Sequence, residues 1–227
     1  RALLQNLQND LHHSNKIIVM YGARQTGKTT LANEIIGSFT GKVLGINADE
    51  LKYNDLFSSR DFNKMNLLLD GNDLLFIDEA QRIPDIGINL KIIHDALPDL
   101  KILVTGSSSF DLAGKIKETL TGRTISYILY PFSLSEIHSE KSIFELRENL
   151  ESYMIYGMYP GIHILNNAMA KEKQLTELTT AYLFKNVFEL STIRNPSVFR
   201  QLLRLLAFQV GSEVSIPELS QNLNISQ

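Results

Sequence analysis

The chain contains 227 residues, of which 44% are hydrophobic, and it carries a formal net charge of −3 at pH 7. This length suits one large or two small domains with a real core, and the charge excludes a basic surface over the whole chain for nucleic acid. The sequence has no cysteine, which excludes disulfides, thiol catalysis and cysteine metal sites and agrees with a reducing compartment.

The apolar runs are far shorter than a membrane span, and the sequence shows no secretory leader. We therefore expect a cytoplasmic protein without membrane association. Because the first residue is Arg1 rather than methionine, we also expect that the N-terminus has been trimmed. The five histidines show no metal-ligand spacing.

An amphipathic stretch over residues 1–16 opens the chain, with Leu3, Leu4, Leu7 and Leu11 on one helical face. Short apolar runs then alternate with helical patterns, which indicates an α/β fold with a parallel sheet covered on both faces. The predicted strands are 17–21, 42–47, 74–77, 101–105 and 124–130, and the predicted helices between them are 30–36, 61–70, 86–97 and 110–120.

After about residue 133 the pattern changes, and no later segment predicts a strand. Helices are predicted over 142–156, 168–190 and 197–210. We place a domain boundary within 132–140, where the sheet pattern gives way to the helical one.

The phosphate-binding pattern G-x-x-x-x-G-K-[ST] occupies residues 22–29, between a predicted strand and a predicted helix. In this setting the loop wraps a polyphosphate in backbone N–H groups, and the helix N-terminus adds partial positive charge. Lys28 is expected to reach the β- and γ-phosphates, and Thr29 to place its hydroxyl on Mg²⁺. The alternative is a glycine-threonine loop with a surface lysine. The predicted nucleotide-binding residues are Gly22, Ala23, Arg24, Gln25, Thr26, Gly27, Lys28, Thr29 and Thr30.

Two adjacent acids end the third predicted strand, as in the Walker B pattern. Asp78 can hold Mg²⁺, directly or through water, and Glu79 can act as general base toward an attacking water. Alone, such acids are more often a solvated strand end, but the loop upstream favours the catalytic interpretation. Kinases need no hydrolytic glutamate here, and the sequence lacks the Asn-Lys-x-Asp motif of GTPases. Hydrolysis of ATP is therefore predicted.

Hydroxyl side chains follow the fourth predicted strand, where ligands bind in a doubly wound sheet. Ser107 is the predicted contact to the γ-phosphate or to the attacking water, with Thr105 or Ser108 as substitutes. The alternative is a helix cap, since Ser109 or Asp111 can begin the next helix.

Arg123 precedes the fifth predicted strand. Its planar, permanently charged guanidinium suits a γ-phosphate, either within the same subunit or from a neighbouring subunit of a homo-oligomer. The alternatives are an exposed arginine at a strand start and an arginine paired with an acid. The predicted catalytic residues are thus Lys28, Glu79, Ser107 and Arg123, and the predicted metal ligands are Thr29 and Asp78.

These residues together resemble the AAA+ ATPases, and most of all a prokaryotic family whose P-loop domain precedes a helical domain that bears a winged helix. The resemblance implies a sheet ordered 5-1-4-3-2, ATP with Mg²⁺, and the Walker, sensor and arginine roles given above. It covers about residues 1–140, and the matching segments are 22–30, 78–84, 105–109, 120–123 and 130–136.

The later part of the chain resembles the same family less specifically, mainly over 182–187 and 207–226. The second of these segments is typical of the first helix and turn of a helix-turn-helix, with Asn224 in the left-handed turn. The recognition helix is expected beyond Gln227, so no DNA-reading residue is named, and a protein–protein helical module is the alternative. The resulting parts are an ATPase domain (1–136), a helical lid or linker (137–196) and the start of a winged helix (197–227).

Three functions follow from these patterns. The first is Mg²⁺-dependent ATP hydrolysis coupled to conformational change, acting on DNA or on a protein partner. The second is an ATP-loaded switch, similar to the STAND proteins, with little turnover. The third is a DNA-binding regulator whose ATPase part is a scaffold.

Overall fold

The protein is represented by a computed structural model that describes residues 1–107, 119–138, 141–180 and 195–225. The chain divides into two compact units, Arg1–Glu172 and Lys173–Gln227. The finer boundaries expected after residues 136 and 196 stay predictions. The predicted features that lie outside the described residues are Ser108, Ser109, Asp111, most of the helix over 110–120, the end of the helix over 168–190 and the segment 182–187.

In the described part of the first unit, parallel strands form one five-stranded sheet with the order β2-β3-β4-β1-β5. Read from the other edge, this is the order 5-1-4-3-2 that the resemblance implies, so the predicted fold class is confirmed. Because all strand pairs are parallel, their carboxyl ends meet at one edge of the sheet. The strands are β1 (Ile17–Gly22), β2 (Val43–Asn47), β3 (Leu74–Asp78), β4 (Lys101–Ser107) and β5 (Thr124–Ile128).

Helices surround this sheet and continue after it. In the described residues of the first unit they are α1 (Leu4–His13), α2 (Lys28–Ser38), α3 (Leu51–Phe57), α4 (Phe62–Leu69), α5 (Ile86–Ala96), α6 (Leu134–His138), α7 (Ile143–Glu148), α8 (Leu150–Tyr156) and α9 (Pro160–His163). Helix α10 (Ala168–Leu178) crosses the boundary between the units, and the second unit contains α11 (Pro196–Phe208) and α12 (Ile216–Leu223). No helix in the described ranges is long and apolar enough to cross a membrane.

One predicted helix is divided in the structure, and one short helix was not predicted. The helix expected over 142–156 is interrupted at Asn149, which separates α7 from α8. The Asn149 side-chain amide donates to the carbonyl of Glu145 at 2.8 Å, a local hydrogen bond of the kind that competes with helix continuation. Helix α3 was not expected, because its seven residues are too few to show a clear apolar period.

The core occupies both faces of the sheet, and β1 shows why. All six residues of β1 are buried, and successive side chains point to opposite faces. Val19 joins the cluster that contains Phe57, Leu90 and Val104. Met20 joins the other cluster, in which Leu7 of the N-terminal helix is buried. The buried strand β1 therefore fixes the loop that follows it.

The second unit contains the turn expected at Asn224. Ser215 caps α12 by accepting the N–H of Glu218, and Asn224 ends the helix with φ 52° and ψ 44°. The N–H of Asn224 reaches the carbonyl of Gln221 at 3.2 Å, and that of Ile225 reaches Ser220 at 3.1 Å. This pair of bonds is a Schellman motif, in which a left-handed residue terminates a helix.

Candidate functional site

The glycine loop joins the carboxyl end of β1 to the first turn of α2. Gly27 has φ 94°, a conformation that glycine adopts without steric cost. Gly22 is needed for a different reason, since an added Cβ would collide with the carbonyl oxygen of Leu129. Inside the loop, the Thr26 hydroxyl donates to the carbonyl of Ala23 at 2.9 Å. The loop is therefore held both by its own hydrogen bonds and by the segment after β5.

Lys28 is 4% exposed and lies inside this loop. Its Nζ donates to the carbonyls of Gly22 at 3.0 Å and Ala23 at 2.9 Å. Burial lowers the pKa of the Lys28 ammonium, while the charges of Glu79 and Asp78 act in the opposite direction. The predicted phosphate-binding lysine is thus directed into the loop and lies within electrostatic reach of both predicted acids.

The hydroxyl of Thr29, in the first turn of α2, donates to Oδ2 of Asp78 at 2.9 Å. The other carboxylate oxygen of Asp78 accepts a hydrogen bond from the Thr105 hydroxyl. The two predicted metal ligands therefore lie side by side. A hydroxyl beside a carboxylate is a hard-oxygen pair of the kind that Mg²⁺ uses together with phosphate oxygens and water.

Glu79 lies directly after β3 and has φ 54° and ψ 41°. For a residue other than glycine this left-handed conformation costs roughly 1–3 kcal/mol, and such strain clusters at functional sites. The Glu79 N–H donates to the Thr105 hydroxyl at 3.2 Å, which also contacts Asp78. Thr105, predicted only as a substitute for Ser107, therefore positions both acids.

Ser107 is the last residue of β4 and lies opposite Gly22 in the sheet register. Its backbone N–H donates to Oε1 of Gln81 at 3.3 Å, and Nε2 of Gln81 donates to Oε2 of Glu79. The structure thus brings Ser107, the loop and Glu79 together. The sequence offers no reason to include Gln81 among the site residues, because a residue two positions after the acids has no pattern of its own.

Arg123 lies at the amino ends of the strands, on the opposite side of the sheet from the phosphate loop. Its backbone precedes β5, whose first residue, Thr124, pairs with Ile17 at the amino end of β1. The distance along β1 to Gly22 is roughly 17 Å, which contradicts a role for Arg123 at the nucleotide of its own subunit. Instead, Arg123 binds Asp95 through Nε at 2.8 Å and Nη2 at 3.1 Å. The alternative of an arginine paired with an acid is the arrangement observed.

This bidentate pair changes the charge behaviour of both partners. Hydrogen bonding to Asp95 raises the pKa of Arg123. Hydrogen bonds from Arg123 and His94 lower the pKa of Asp95. The Nε2 of His94 also lies 2.9 Å from the carbonyl of Asn15. Arg123 thus belongs to a polar group that joins the amino ends of the strands to the end of α5.

A second cluster, which sequence analysis missed, holds the loop from outside. The guanidinium of Arg1 donates to the carbonyl of Thr26 and pairs with Glu136 at 3.3 Å. The same group lies 3.9 Å from the ring centroid of Phe132, a favourable cation–π position. Glu136 also accepts the N–H of Ser133 at 3.0 Å. A single arginine far from any motif gives no sequence signal for such a contact.

Comparison with known families shows which family the first part of the chain matches. The sequence model of a family described as an AAA domain matches residues 14–138, which is more than half of the chain. A second family, described as a domain of unknown function (DUF8612), matches residues 147–227. The family boundaries therefore follow the change from the sheet to the later helices.

Two curated relatives are each 26% identical to this chain. One is an uncharacterized protein of Methanocaldococcus jannaschii, matched over 223 residues, 92% of this chain and 50% of that protein. The other is an uncharacterized protein of Mycobacterium tuberculosis, matched over 231 residues, 100% of this chain and 48% of that protein. The chain spans about half the length of these relatives.

Among solved structures, a Walker-type ATPase of Pyrococcus abyssi is similar to this chain, with a TM-score of 0.59 and 18% identity. The match covers 99% of this chain and 88% of that one. At this identity the likeness shows the fold, which agrees with the sheet order. Because the family match covers more than half of the sequence, the chain belongs to the family described as the AAA domain.

Proposed function

We propose that this protein binds ATP and hydrolyses it with Mg²⁺, and that hydrolysis drives a conformational change. The observation that carries the proposal is the convergence of Lys28, Thr29, Asp78 and Glu79 at one edge of the sheet. The Thr29 hydroxyl lies 2.9 Å from Asp78, and the Lys28 ammonium is directed into the loop. Membership in the AAA domain family supports nucleotide binding at this edge.

The residues present fit Mg²⁺. Thr29 and Asp78 would hold it, since a hydroxyl oxygen and a carboxylate oxygen lie together at the start of α2. When bound, the ion neutralises phosphate charge that develops during transfer. The described residues include no cluster of three or more histidines and acids that could hold a metal alone. That agrees with Mg²⁺ sites that rely on substrate phosphates and water for the remaining ligands.

The loop and Lys28 would bind the phosphates. Backbone N–H groups at the start of α2 face an anion favourably, because the helix N-terminus carries partial positive charge. Lys28 now donates to the carbonyls of Gly22 and Ala23. On ATP binding it exchanges these neutral acceptors for phosphate oxygens, which form stronger charge-assisted bonds.

Glu79 is the proposed general base. Its carboxylate accepts a proton from the attacking water as the water oxygen bonds to the γ-phosphorus and the bond to the ADP oxygen breaks. Its charge acts on Lys28, which supports an orientation toward the phosphate site. Ser107, opposite Gly22 in the sheet, is the proposed contact to the γ-phosphate or to the water.

Phosphate release and nucleotide binding test this function. The purified protein is expected to bind ATP and to release phosphate only when Mg²⁺ is present. Lys28→Ala is expected to lose ATP binding, while Lys16→Ala, at an exposed lysine before β1, is expected to behave as wild type. ATP binding without turnover would favour the switch function instead.

A role for Arg123 in a neighbouring subunit is a separate proposal. Because Arg123 lies too far from the loop of its own subunit, the phosphate it could contact is that of a nucleotide bound to a second copy. In a homo-oligomer, the guanidinium would exchange Asp95 for the γ-phosphate and stabilise transition-state charge. Mixing Arg123→Ala protein with Lys28→Ala protein and measuring turnover tests this proposal.

DNA binding by the second unit is a further candidate. The observation that favours it is α12, which is capped at Ser215 and ends in a left-handed turn at Asn224, as the first helix and turn of a helix-turn-helix would. The protein should bind labelled duplex DNA with an affinity that falls as salt increases. Binding to a protein partner but not to DNA would favour the helical interaction module.

A further inference from the structure

Gln81 lies between the candidate general base and the end of β4. It belongs to a single turn of 3-10 helix over Ala80–Arg82 that directly follows Glu79. Its Nε2 donates to Oε2 of Glu79, and its Oε1 accepts the N–H of Ser107 at 3.3 Å. One side-chain amide therefore bridges the two residues to which hydrolysis and phosphate sensing are assigned.

The orientation of this amide follows from its partners. The carboxylate of Glu79 can only accept hydrogen bonds, and the backbone N–H of Ser107 can only donate one. A flipped amide would place oxygen against oxygen and nitrogen against N–H. Only one orientation of the amide satisfies both contacts, so Gln81 is a donor to Glu79.

Glu79 is held from its backbone as well. Its left-handed conformation, with φ 54°, is supported by the N–H bond to the Thr105 hydroxyl at 3.2 Å. The remaining freedom of Glu79 is in its side chain, and Gln81 contacts one carboxylate oxygen. Burial lowers the pKa of Lys28, and the charge of that carboxylate acts against this lowering, so Glu79 lies within electrostatic reach of the loop.

We propose that Gln81 is a positioning residue: it holds the Glu79 carboxylate toward the phosphate site and ties that orientation to the carboxyl end of β4 at Ser107. The inference rests on the proposed function, since it assigns Gln81 a part in the same hydrolysis. Because Ser107 lies opposite Gly22, a shift of the β4 end relative to the loop would move Gln81 and with it the base.

The test compares Gln81→Ala with Gln81→Glu under steady-state conditions. Alanine removes both hydrogen bonds, while glutamate keeps an oxygen for Ser107 but cannot donate to Glu79 and adds a like charge. Both variants are expected to lower kcat by roughly ten- to hundredfold, the loss typical of a hydrogen bond to a charged group. KM and ATP binding should stay within about twofold of wild type.

A double variant separates positioning from general stability. In a Glu79→Gln background, Gln81→Ala should cause no further loss of turnover, because the base it positions has been removed. A merely structural role would instead lower thermal stability and ATP binding in both backgrounds. Unchanged kcat in Gln81→Ala, when Glu79→Gln abolishes turnover, would overturn the inference and leave the proposed function intact.

A spectroscopic readout tests the contact without turnover. In ¹⁵N spectra of the nucleotide-free protein, the backbone amide signal of Ser107 should shift in Gln81→Ala, because its acceptor is lost. If the wild type binds ATP without turnover, the proposed hydrolysis and the positioning role of Gln81 in it both fail, and this signal still decides whether Gln81 contacts Ser107. A Ser107 signal that does not move would overturn the contact itself.

Discussion

The hydroxyl of Thr29 lies 2.9 Å from Oδ2 of Asp78, although 49 positions separate the two residues in the sequence. The contact joins the first turn of α2 to the carboxyl end of β3. It places a hydroxyl and a carboxylate next to the loop that contains Lys28. This pairing is the basis for proposing that Mg²⁺ binds at the site.

Thr29→Ala should weaken the dependence of ATP binding on Mg²⁺, because it removes one of the two proposed ligands and leaves Asp78 in place. Mg²⁺ increases the ATP affinity of wild type by some factor, and we expect this factor to be roughly tenfold smaller in Thr29→Ala. Isothermal titration with and without Mg²⁺ measures this factor. Thr29→Ser, which keeps the hydroxyl, is the matched control, and an undiminished Mg²⁺ effect in Thr29→Ala would contradict the assignment.

Gly22→Ala should destabilise the protein, because its Cβ meets the carbonyl of Leu129 at a distance no relaxed structure tolerates. The backbone must move, at an expected cost of roughly 1–3 kcal/mol in the free energy of unfolding. Gly37→Ala is the matched control: it lies in α2 and its added Cβ meets no atom within 4 Å. In urea unfolding, Gly37→Ala is expected to increase the free energy of unfolding by about 0.5–1 kcal/mol. Equal changes in Gly22→Ala and Gly37→Ala would contradict the close approach of Gly22 to the Leu129 carbonyl.

The contribution of Glu136 to stability should depend on pH. Burial raises the pKa of Glu136, but hydrogen bonds from the N–H groups of Ser133 and Ala2 and the charge of Arg1 outweigh it, so the pKa lies below the ordinary 4.5. The folded carboxyl therefore binds its proton less tightly than the unfolded one. Its stabilising effect is complete above pH 4.5 and is lost as the pH falls through the folded value.

Glu136→Gln is accordingly expected to lower the free energy of unfolding by roughly 1–3 kcal/mol at pH 7. The difference from wild type should shrink once the pH falls below 4.5. Urea unfolding at several pH values measures it. Glu148→Gln, at an exposed position in α7, serves as control, and a Glu136→Gln effect that is the same at low and neutral pH would count against the ion pair.

Arg123→Ala tests the contribution of a neighbouring subunit. If Arg123 acts on the nucleotide of a second copy, the variant should lower turnover by up to roughly 10³-fold. Mixing it with Lys28→Ala protein should restore part of the activity, since each variant supplies the group the other lacks. Asp95→Asn, which keeps Arg123, is the control and should retain turnover. If mixing restores no activity, or if Arg123→Ala and Asp95→Asn lose turnover equally, Arg123 has no role at a neighbouring nucleotide and only forms its ion pair with Asp95.

The sheet and the phosphate loop could be predicted because their signals are local. Five apolar runs and the glycine pattern in residues 22–29 specify strands, loop and helix without knowledge of distant contacts. The position of Arg123 could also have been inferred: an arginine before a parallel strand lies at the amino edge, away from a loop that follows another strand.

The remaining contacts depend on tertiary structure. Gln81 reaches Ser107 only because a left-handed Glu79 and a short 3-10 turn direct it toward β4. Arg1 reaches the Thr26 carbonyl only because the start of α1 lies beside the loop and Phe132. Neither contact has a characteristic spacing in the sequence, so pattern analysis has nothing to detect.

The most direct test of the account is the effect of Glu79→Gln on ATP binding and phosphate release in the presence of Mg²⁺. If Glu79 is the general base, the variant should bind ATP as tightly as wild type and lose roughly 10²–10⁴-fold in kcat. Phosphate release at the wild-type rate by Glu79→Gln would contradict the account.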